Sequence, residues 1–129
     1  MAFLDSSTII QYLSGDEAVR DYIEGREPWW TSTVCVYELI NGCLGSGRTD
    51  VQSVREEFGG VRALDLDESI ALEASRLQDE LVADGSRLAT VDVLIAATAR
   101  TTGDELVVAD SDFETDPLQE VMAVTNLRK

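Results

Sequence analysis

The sequence contains no histidine, only two cysteines and a single lysine, and these shortages exclude several kinds of site. Without histidine, a zinc centre of the usual nitrogen and sulfur type is excluded, as are Ser-His-Asp and Cys-His mechanisms. Cys35 and Cys43 share one predicted helix, which separates them by about 12 Å, too far for a disulfide. Any metal site must therefore use oxygen ligands and a hard cation, meaning Mg²⁺, Mn²⁺ or Ca²⁺.

Long apolar runs are absent as well, so no segment is expected to span a membrane. The first residues, MAFLDSSTII, lack the basic and apolar regions of a signal peptide, and we expect a cytoplasmic protein. A length of 129 residues, of which 44% are hydrophobic, fits one domain over residues 1–129. Two prolines and the lack of a Gly/Ser linker argue against a second domain.

Basic residues are scarce, which leaves a net charge of −15. An acidic surface nearly free of lysine favours a halophilic protein, because abundant cations screen the repulsion between its charges. A merely acidic, soluble protein is the alternative. Acidity also weighs against a nucleic-acid ligand, since proteins that bind nucleic acids are usually basic. It does not exclude one, because a basic patch loses most of its value in molar salt.

Short apolar segments alternate with helical ones along the chain. This alternation predicts an α/β three-layer sandwich of about five parallel strands joined by right-handed crossovers. We predict strands at residues 2–4, 29–32, 61–66, 105–110 and 121–125, and helices at 6–13, 16–24, 33–43, 49–58, 68–84 and 90–101.

Two of the 25 acidic residues stand at the carboxyl ends of predicted strands. Asp5 comes after AFL, and Asp110 comes after LVVA. In open α/β sheets, ligands bind beyond the carboxyl ends of the strands. These positions therefore predict a site that contains both acids, whereas most other acids belong to the solvated surface.

Two further acids occur in apolar helices, where an unpaired carboxylate is costly. Glu38 lies within VCVYELI, and its alternative role is a solvent-facing residue. Asp92 lies in the first turn of TVDVLIAATA, where the helix dipole is expected to favour the ionised form, and that dipole alone is its alternative explanation. Asp112 either binds a metal or caps a turn. For Ser7, capping the first helix is favoured over binding a ligand carboxylate.

Four segments together resemble the PIN domain family, most closely the toxins of the VapBC type. They are LDSSTII at 4–10, YEL at 37–39, DVLIAATA at 92–99 and VVADSDFE at 107–114. The resemblance spans nearly the whole chain. The most specific of these features is a combination: an acid followed by LIAATA, and later in the chain a strand followed by A-D-x-D-F. A scarcity of basic residues distinguishes this chain from many relatives; Arg48, Arg55, Arg87 and Arg100 are the ones it offers near the expected groove.

The resemblance implies a sheet in the order 3-2-1-4-5 and an active-site quartet of Asp5, Glu38, Asp92 and Asp110. It implies Mg²⁺ or Mn²⁺ bound by Asp5, Asp92 and Asp110, with Asp112 as an auxiliary ligand. The implied activity is endoribonucleolytic cleavage that leaves a 5′-phosphate. A cognate antitoxin with an apolar helix and an Arg-rich tail, and a homodimer, are the implied partners.

Other classes of protein also place aspartates at the ends of parallel strands. A signalling receiver domain needs a lysine near its phosphorylated aspartate, and Lys129 at the terminus is poorly placed for that. A phosphatase of the haloacid-dehalogenase type needs its D-x-D motif after the first strand, whereas the motif here follows the fourth. An RNA-processing nuclease outside toxin–antitoxin systems and a silent protein-binding module remain alternatives.

Overall fold

The computed structural model describes residues 1–128, which form a five-stranded sheet covered by helices on both faces. All neighbouring strands are parallel, in the order β3-β2-β1-β4-β5. The α/β class and the 3-2-1-4-5 order predicted from the sequence are therefore confirmed. The strands are β1 (Ala2–Leu4), β2 (Trp29–Ser32), β3 (Val61–Leu64), β4 (Glu105–Val108) and β5 (Val124–Asn126).

Helices connect the strands, as parallel pairing requires. The helices are α1 (Ser6–Leu13), α2 (Glu17–Ile23), α3 (Thr33–Asn41), α4 (Val51–Glu56), α5 (Glu68–Ala83) and α6 (Thr90–Thr102), and a 3₁₀ turn covers Asp116–Glu120. No helix within residues 1–128 combines the length and apolarity needed to cross a membrane.

Two apolar layers cover the faces of the sheet because successive strand side chains point to opposite sides. Phe3 and Leu106 pack with α5 and α6 on one face, whereas Leu4 and Val107 pack with α1 and α2 on the other. The central strands β1 and β4 are buried throughout except at Glu105. The core therefore fixes the central strands, whose carboxyl ends carry the predicted site.

The last strand begins later than predicted. The backbone N–H groups of Val121 and Met122 donate to the carbonyl oxygen of Leu118, so these residues close the 3₁₀ turn instead of joining the sheet. The strand predicted at 105–110 likewise ends at Val108, and that predicted at 61–66 ends at Leu64. After β4 the N–H of Ala109 donates to the Ser7 hydroxyl oxygen, and after β3 the N–H of Leu66 donates to the Thr33 hydroxyl oxygen, so side chains take the place of strand pairing there.

Candidate active site

Asp5 occupies the junction between β1 and α1, and only 4% of its surface is exposed. Its Oδ1 accepts hydrogen bonds from the backbone N–H of Thr8 (3.0 Å), the Thr8 hydroxyl (3.0 Å) and the Ser7 hydroxyl (2.7 Å). Burial raises the pKa of Asp5 to about 6, although these hydrogen bonds favour the ionised form and oppose the shift. The negative charge of Asp110 contributes to this raised value in the same direction as burial. Asp5 is thus a buried carboxyl group with a fixed orientation, and its surroundings disfavour the ionised form.

Asp110 lies just beyond β4, the strand next to β1. Its Oδ1 accepts from the backbone N–H of Asp112 at 2.9 Å, and its carbonyl oxygen accepts from the Asn126 side-chain amide at 2.8 Å. The preceding residue, Ala109, donates its N–H to the Ser7 hydroxyl oxygen at 3.0 Å. Ser7 therefore joins the carboxyl ends of the two central strands, and both acids extend from that edge.

Asp92 stands in the first turn of α6 and is half-buried. Burial is the main cause that raises its pKa, and the charge of Asp110 adds to the effect. Desolvation and a neighbouring like charge both disfavour the ionised form of Asp92. The opposing effect of the helix dipole, expected from the sequence, stays a prediction.

Glu38 projects from the exposed side of α3, with the Ser6 hydroxyl donating to its Oε1 at 3.1 Å. Partial burial raises its pKa, the Ser6 hydrogen bond lowers it, and the charge of Asp92 raises it. Its exposure agrees with the solvent-facing alternative. Its electrostatic contact with Asp92 nevertheless connects it to the other acids.

The four acids form a connected series at one edge of the sheet, although they come from four separate parts of the chain. Like-charge repulsion couples Asp5 to Asp110, Asp110 to Asp92, and Asp92 to Glu38. Within residues 1–128 no ion pair involves any of these four carboxylates. The edge therefore concentrates negative charge that no ion pair within the described residues neutralises.

Asp112 lies beside this series. A cavity of about 160 Å³ is lined by Asp92, Asp112 and Glu114, together with the segment 87–89. Glu114 was not singled out from the sequence, although the alternation of acids at 110, 112 and 114 is a signal for it. The turn at this point is capped by the carboxylate of Asp110, not by that of Asp112.

The donor set fits a hard divalent cation by its chemistry, because carboxylate oxygens without a basic partner are the ligands that Mg²⁺ and Mn²⁺ prefer. The carboxylates nevertheless stand apart from one another. Across residues 1–128, no three acidic or cysteine side chains stand close enough together to hold one ion. The structure thus brings the acids to one edge without closing them into a coordination shell.

Hydroxyl groups do more at this edge than the sequence indicated. The favoured role of Ser7, capping α1, is wrong, because Asp5 is the cap. Its alternative role, a hydrogen bond to the carboxylate of a candidate ligand, is the observed one, since Ser7 donates to Asp5. Thr8 also donates to the carbonyl oxygen of Val107 at 2.7 Å, which fixes the start of α1 against β4. The run of three hydroxyl residues after Asp5 was the available signal.

Comparisons with known proteins agree with this fold. The family model of the PIN domain matches residues 2–115, and the chain belongs to that family. A comparison with curated proteins gave no match.

Three solved structures illustrate the likeness. FitAcB from Neisseria gonorrhoeae is 26% identical with a TM-score of 0.76, covering 98% of this chain and 97% of that one. VapBC-5 from Mycobacterium tuberculosis, a member of the VapBC family of toxin–antitoxin systems, is 28% identical with a TM-score of 0.67, covering 99% and 98%. VapC20 from the same organism, a sarcin–ricin loop cleaving toxin, is 15% identical with a TM-score of 0.58, covering 95% and 97%.

Proposed function

We propose that this chain is a Mg²⁺- or Mn²⁺-dependent endoribonuclease and the toxin of a toxin–antitoxin pair. The observation that carries the proposal is the edge where Asp5, Asp110, Asp92 and Glu38 meet, none of them in an ion pair within residues 1–128. Membership of the PIN family supports a nuclease, and the fold shared with VapC20 supports RNA as the substrate.

Each acid has a proposed role that follows from its position. Asp5, Asp92 and Asp110 would hold the cation, with Asp112 as an additional ligand, after side-chain rotations that bring the carboxylates together. The chemistry that a divalent ion supplies at such a site is activation of water and neutralisation of charge on the phosphoryl oxygens. Glu38 is exposed and held by Ser6, and from there it would orient the attacking water.

The hydroxyl residues keep these acids in place. The Ser7 hydroxyl contacts both carboxylate oxygens of Asp5, at 2.7 and 2.9 Å, and the backbone N–H of Thr8 donates to Oδ1 at 3.0 Å, so the carboxylate is held in one orientation. The Asn126 amide fixes the backbone of Asp110, and a misplacement of that backbone would move its carboxylate away from the others. Geometry held in this way reduces the entropic cost of reaching the transition state.

An antitoxin is part of the same proposal, and an apolar groove supports it. Two adjoining cavities of about 220 and 170 Å³ share Leu13, Glu57 and Phe58 and are otherwise lined largely by apolar residues of α1, α3, α4 and the strands β1 to β3. Ile10 and Leu13 are 47% and 44% exposed there. Such a groove suits one apolar face of a helix. A basic segment after that helix would complement the acidic edge, and a homodimer of the toxin completes the proposed assembly.

Incubation of the purified protein with RNA, with and without EDTA, tests the proposed activity. We expect cleavage in Mg²⁺ or Mn²⁺, no cleavage in EDTA, and recovery when the metal is restored in excess. The Asp92→Asn variant, prepared identically, controls for contaminating ribonuclease and is expected to be folded and inactive, with no effect on growth when expressed. Cleavage that is unchanged in EDTA, or equal in this variant, would contradict the proposal.

A further inference from the structure

The arginines of this acidic chain are mostly used to hold its own fold together. Arg55 donates to two backbone carbonyl oxygens at 3.0 and 2.9 Å, and Arg100 pairs with Glu73 and Glu80 at 3.4 and 2.7 Å. Arg55 and Arg100 are therefore engaged within the protein and are no longer candidates for binding RNA, although the sequence analysis named both. The others that are engaged through an aromatic ring, a carbonyl oxygen or a carboxylate are Arg20, Arg26, Arg62, Arg76 and Arg128.

Two guanidinium groups remain within residues 1–128 without a hydrogen bond, ion pair or ring contact, those of Arg48 and Arg87. Arg48 belongs to the exposed loop between α3 and α4 and lines none of the cavities described above. Arg87 lines the 160 Å³ cavity together with Asp92 and Asp112. Only Arg87 therefore combines an unengaged guanidinium with a place at the acidic edge.

The segment that carries Arg87 is held firmly although Arg87 itself is exposed. Leu88 is buried. The side-chain amide of Gln78 in α5 makes two hydrogen bonds to its backbone: it donates to the Leu88 carbonyl oxygen at 2.8 Å and accepts from the Leu88 N–H at 3.0 Å. Arg87 also lines a groove of about 470 Å³ between α5 and α6. Its side chain thus stands where this groove meets the acidic cavity.

We propose that Arg87 binds an RNA phosphate next to the one that is cleaved. The proposal rests on the ribonuclease function given above. An RNA strand that enters the acidic edge brings further phosphates beyond the one facing the acids, and the carboxylates repel them. A guanidinium binds phosphate through paired, charge-assisted hydrogen bonds, and an arginine on a fixed segment loses little freedom in doing so. Arg87 is accordingly a residue that positions the substrate through direct contact with its backbone.

Equilibrium binding of a short single-stranded RNA, measured by fluorescence anisotropy across a series of KCl concentrations, tests this contact. The measurements use the Asp92→Asn background, so that cleavage does not consume the RNA. We expect Arg87→Ala to raise Kd about tenfold, the loss typical of a charge-assisted hydrogen bond. The slope of log Kd against log salt is expected to fall by about 0.7, the value for one lost phosphate contact on a single strand. Arg87→Lys keeps the charge and is expected to retain most of the slope.

Arg76→Ala provides the matched control, because it removes the same charge from an arginine of α5 that pairs only with Glu73. It is expected to change neither Kd nor slope beyond the experimental error, and thermal melting of both variants checks the fold. If the wild-type protein cleaves RNA but Arg87→Ala binds as Arg76→Ala does, the Arg87 contact is overturned and the ribonuclease function stands. If the wild type does not cleave but the slope still falls in Arg87→Ala, the function fails and the contact stands. Absence of both cleavage and RNA binding overturns both.

Discussion

Aspartate caps helices both at the acidic edge of the sheet and on the outer surface of the molecule, but its pKa shifts in opposite directions in the two places. Asp5, Asp16, Asp50 and Asp67 each precede a helix, and each side chain accepts a hydrogen bond from the backbone N–H three residues later. At the exposed Asp50 and Asp67, and at the partly buried Asp16, which accepts chiefly from Arg128, hydrogen bonds to the carboxylate hold its pKa below the ordinary value. At Asp5, burial raises the pKa instead.

The difference teaches that helix capping alone does not explain Asp5. Asparagine and serine cap helices about as well as aspartate, and neither buries a charge. A carboxylate that the fold destabilises is useful where a cation later occupies its surroundings, since the cation then favours the ionised form. The comparison therefore separates a capping residue on the surface from a candidate ligand with the same backbone geometry.

The largest expected effect is on cleavage when the two kinds of cap are changed in the same way. Asp5→Asn keeps a good capping residue but removes the charge, and we expect kcat/KM for RNA to fall by about a hundredfold or more, as for loss of a metal ligand. Asp67→Asn makes the same change on the surface and is expected to leave kcat/KM within about twofold. Rates on a fluorogenic RNA at saturating Mn²⁺ measure both. Full activity in Asp5→Asn would remove Asp5 from the site.

A smaller effect is expected on the stability of the metal-free protein as pH changes. Because the pKa of Asp5 rises from 3.8 to about 6 on folding, the folded state binds more protons than the unfolded state between these values. The free energy of unfolding therefore falls as pH rises through this window. We expect a higher melting temperature in EDTA at pH 5 than at pH 7.5, and a smaller difference in Asp5→Asn or with saturating Mn²⁺. A melting temperature that rises with pH in EDTA would contradict the assignment.

The smallest effect is expected from screening of the surface charges. With a net charge of −15, repulsion among exposed carboxylates destabilises the compact state, and molar KCl screens it. We expect the melting temperature to be a few degrees higher in molar KCl than in dilute buffer. The buried Asp5 is less accessible to this screening, so the pH dependence described above should persist in high salt. Equal melting temperatures in both buffers would count against adaptation to salt.

Much of this architecture follows from patterns that the sequence displays directly. AFL before Asp5 and LVVA before Asp110 identify apolar strands that end in an acid, and parallel order then brings those ends to one edge. Asp92 was predicted in the first turn of its helix and lies there. These predictions succeeded because hydrophobic periodicity and strand order are set by the same burial that shapes the core.

The remaining features depend on distances that no pattern encodes. Capping was the favoured role of Ser7 because serine near the start of a helix often caps it, but the capping position of α1 is occupied by Asp5. The sequence shows that Asp92 lies in the first turn of a helix, whereas the desolvation and the charge of Asp110 that raise its pKa appear only in three dimensions. The role of Asn126 depends on β5 returning to the turn after Asp110, a contact between distant segments.

The shortness of β1 determines where this chain tolerates insertions. This strand has three residues, and Leu4 lies opposite Val107 of β4. That register sets the face of the sheet toward which the side chain of Asp5 points. Adding or deleting one residue in β1 would turn Asp5 from its partners toward the opposite layer, since side chains alternate along a strand. The loop at residues 42–50 is largely exposed and joins two helices, so extra residues there leave every strand in register. Tags and reporter peptides therefore belong in that loop.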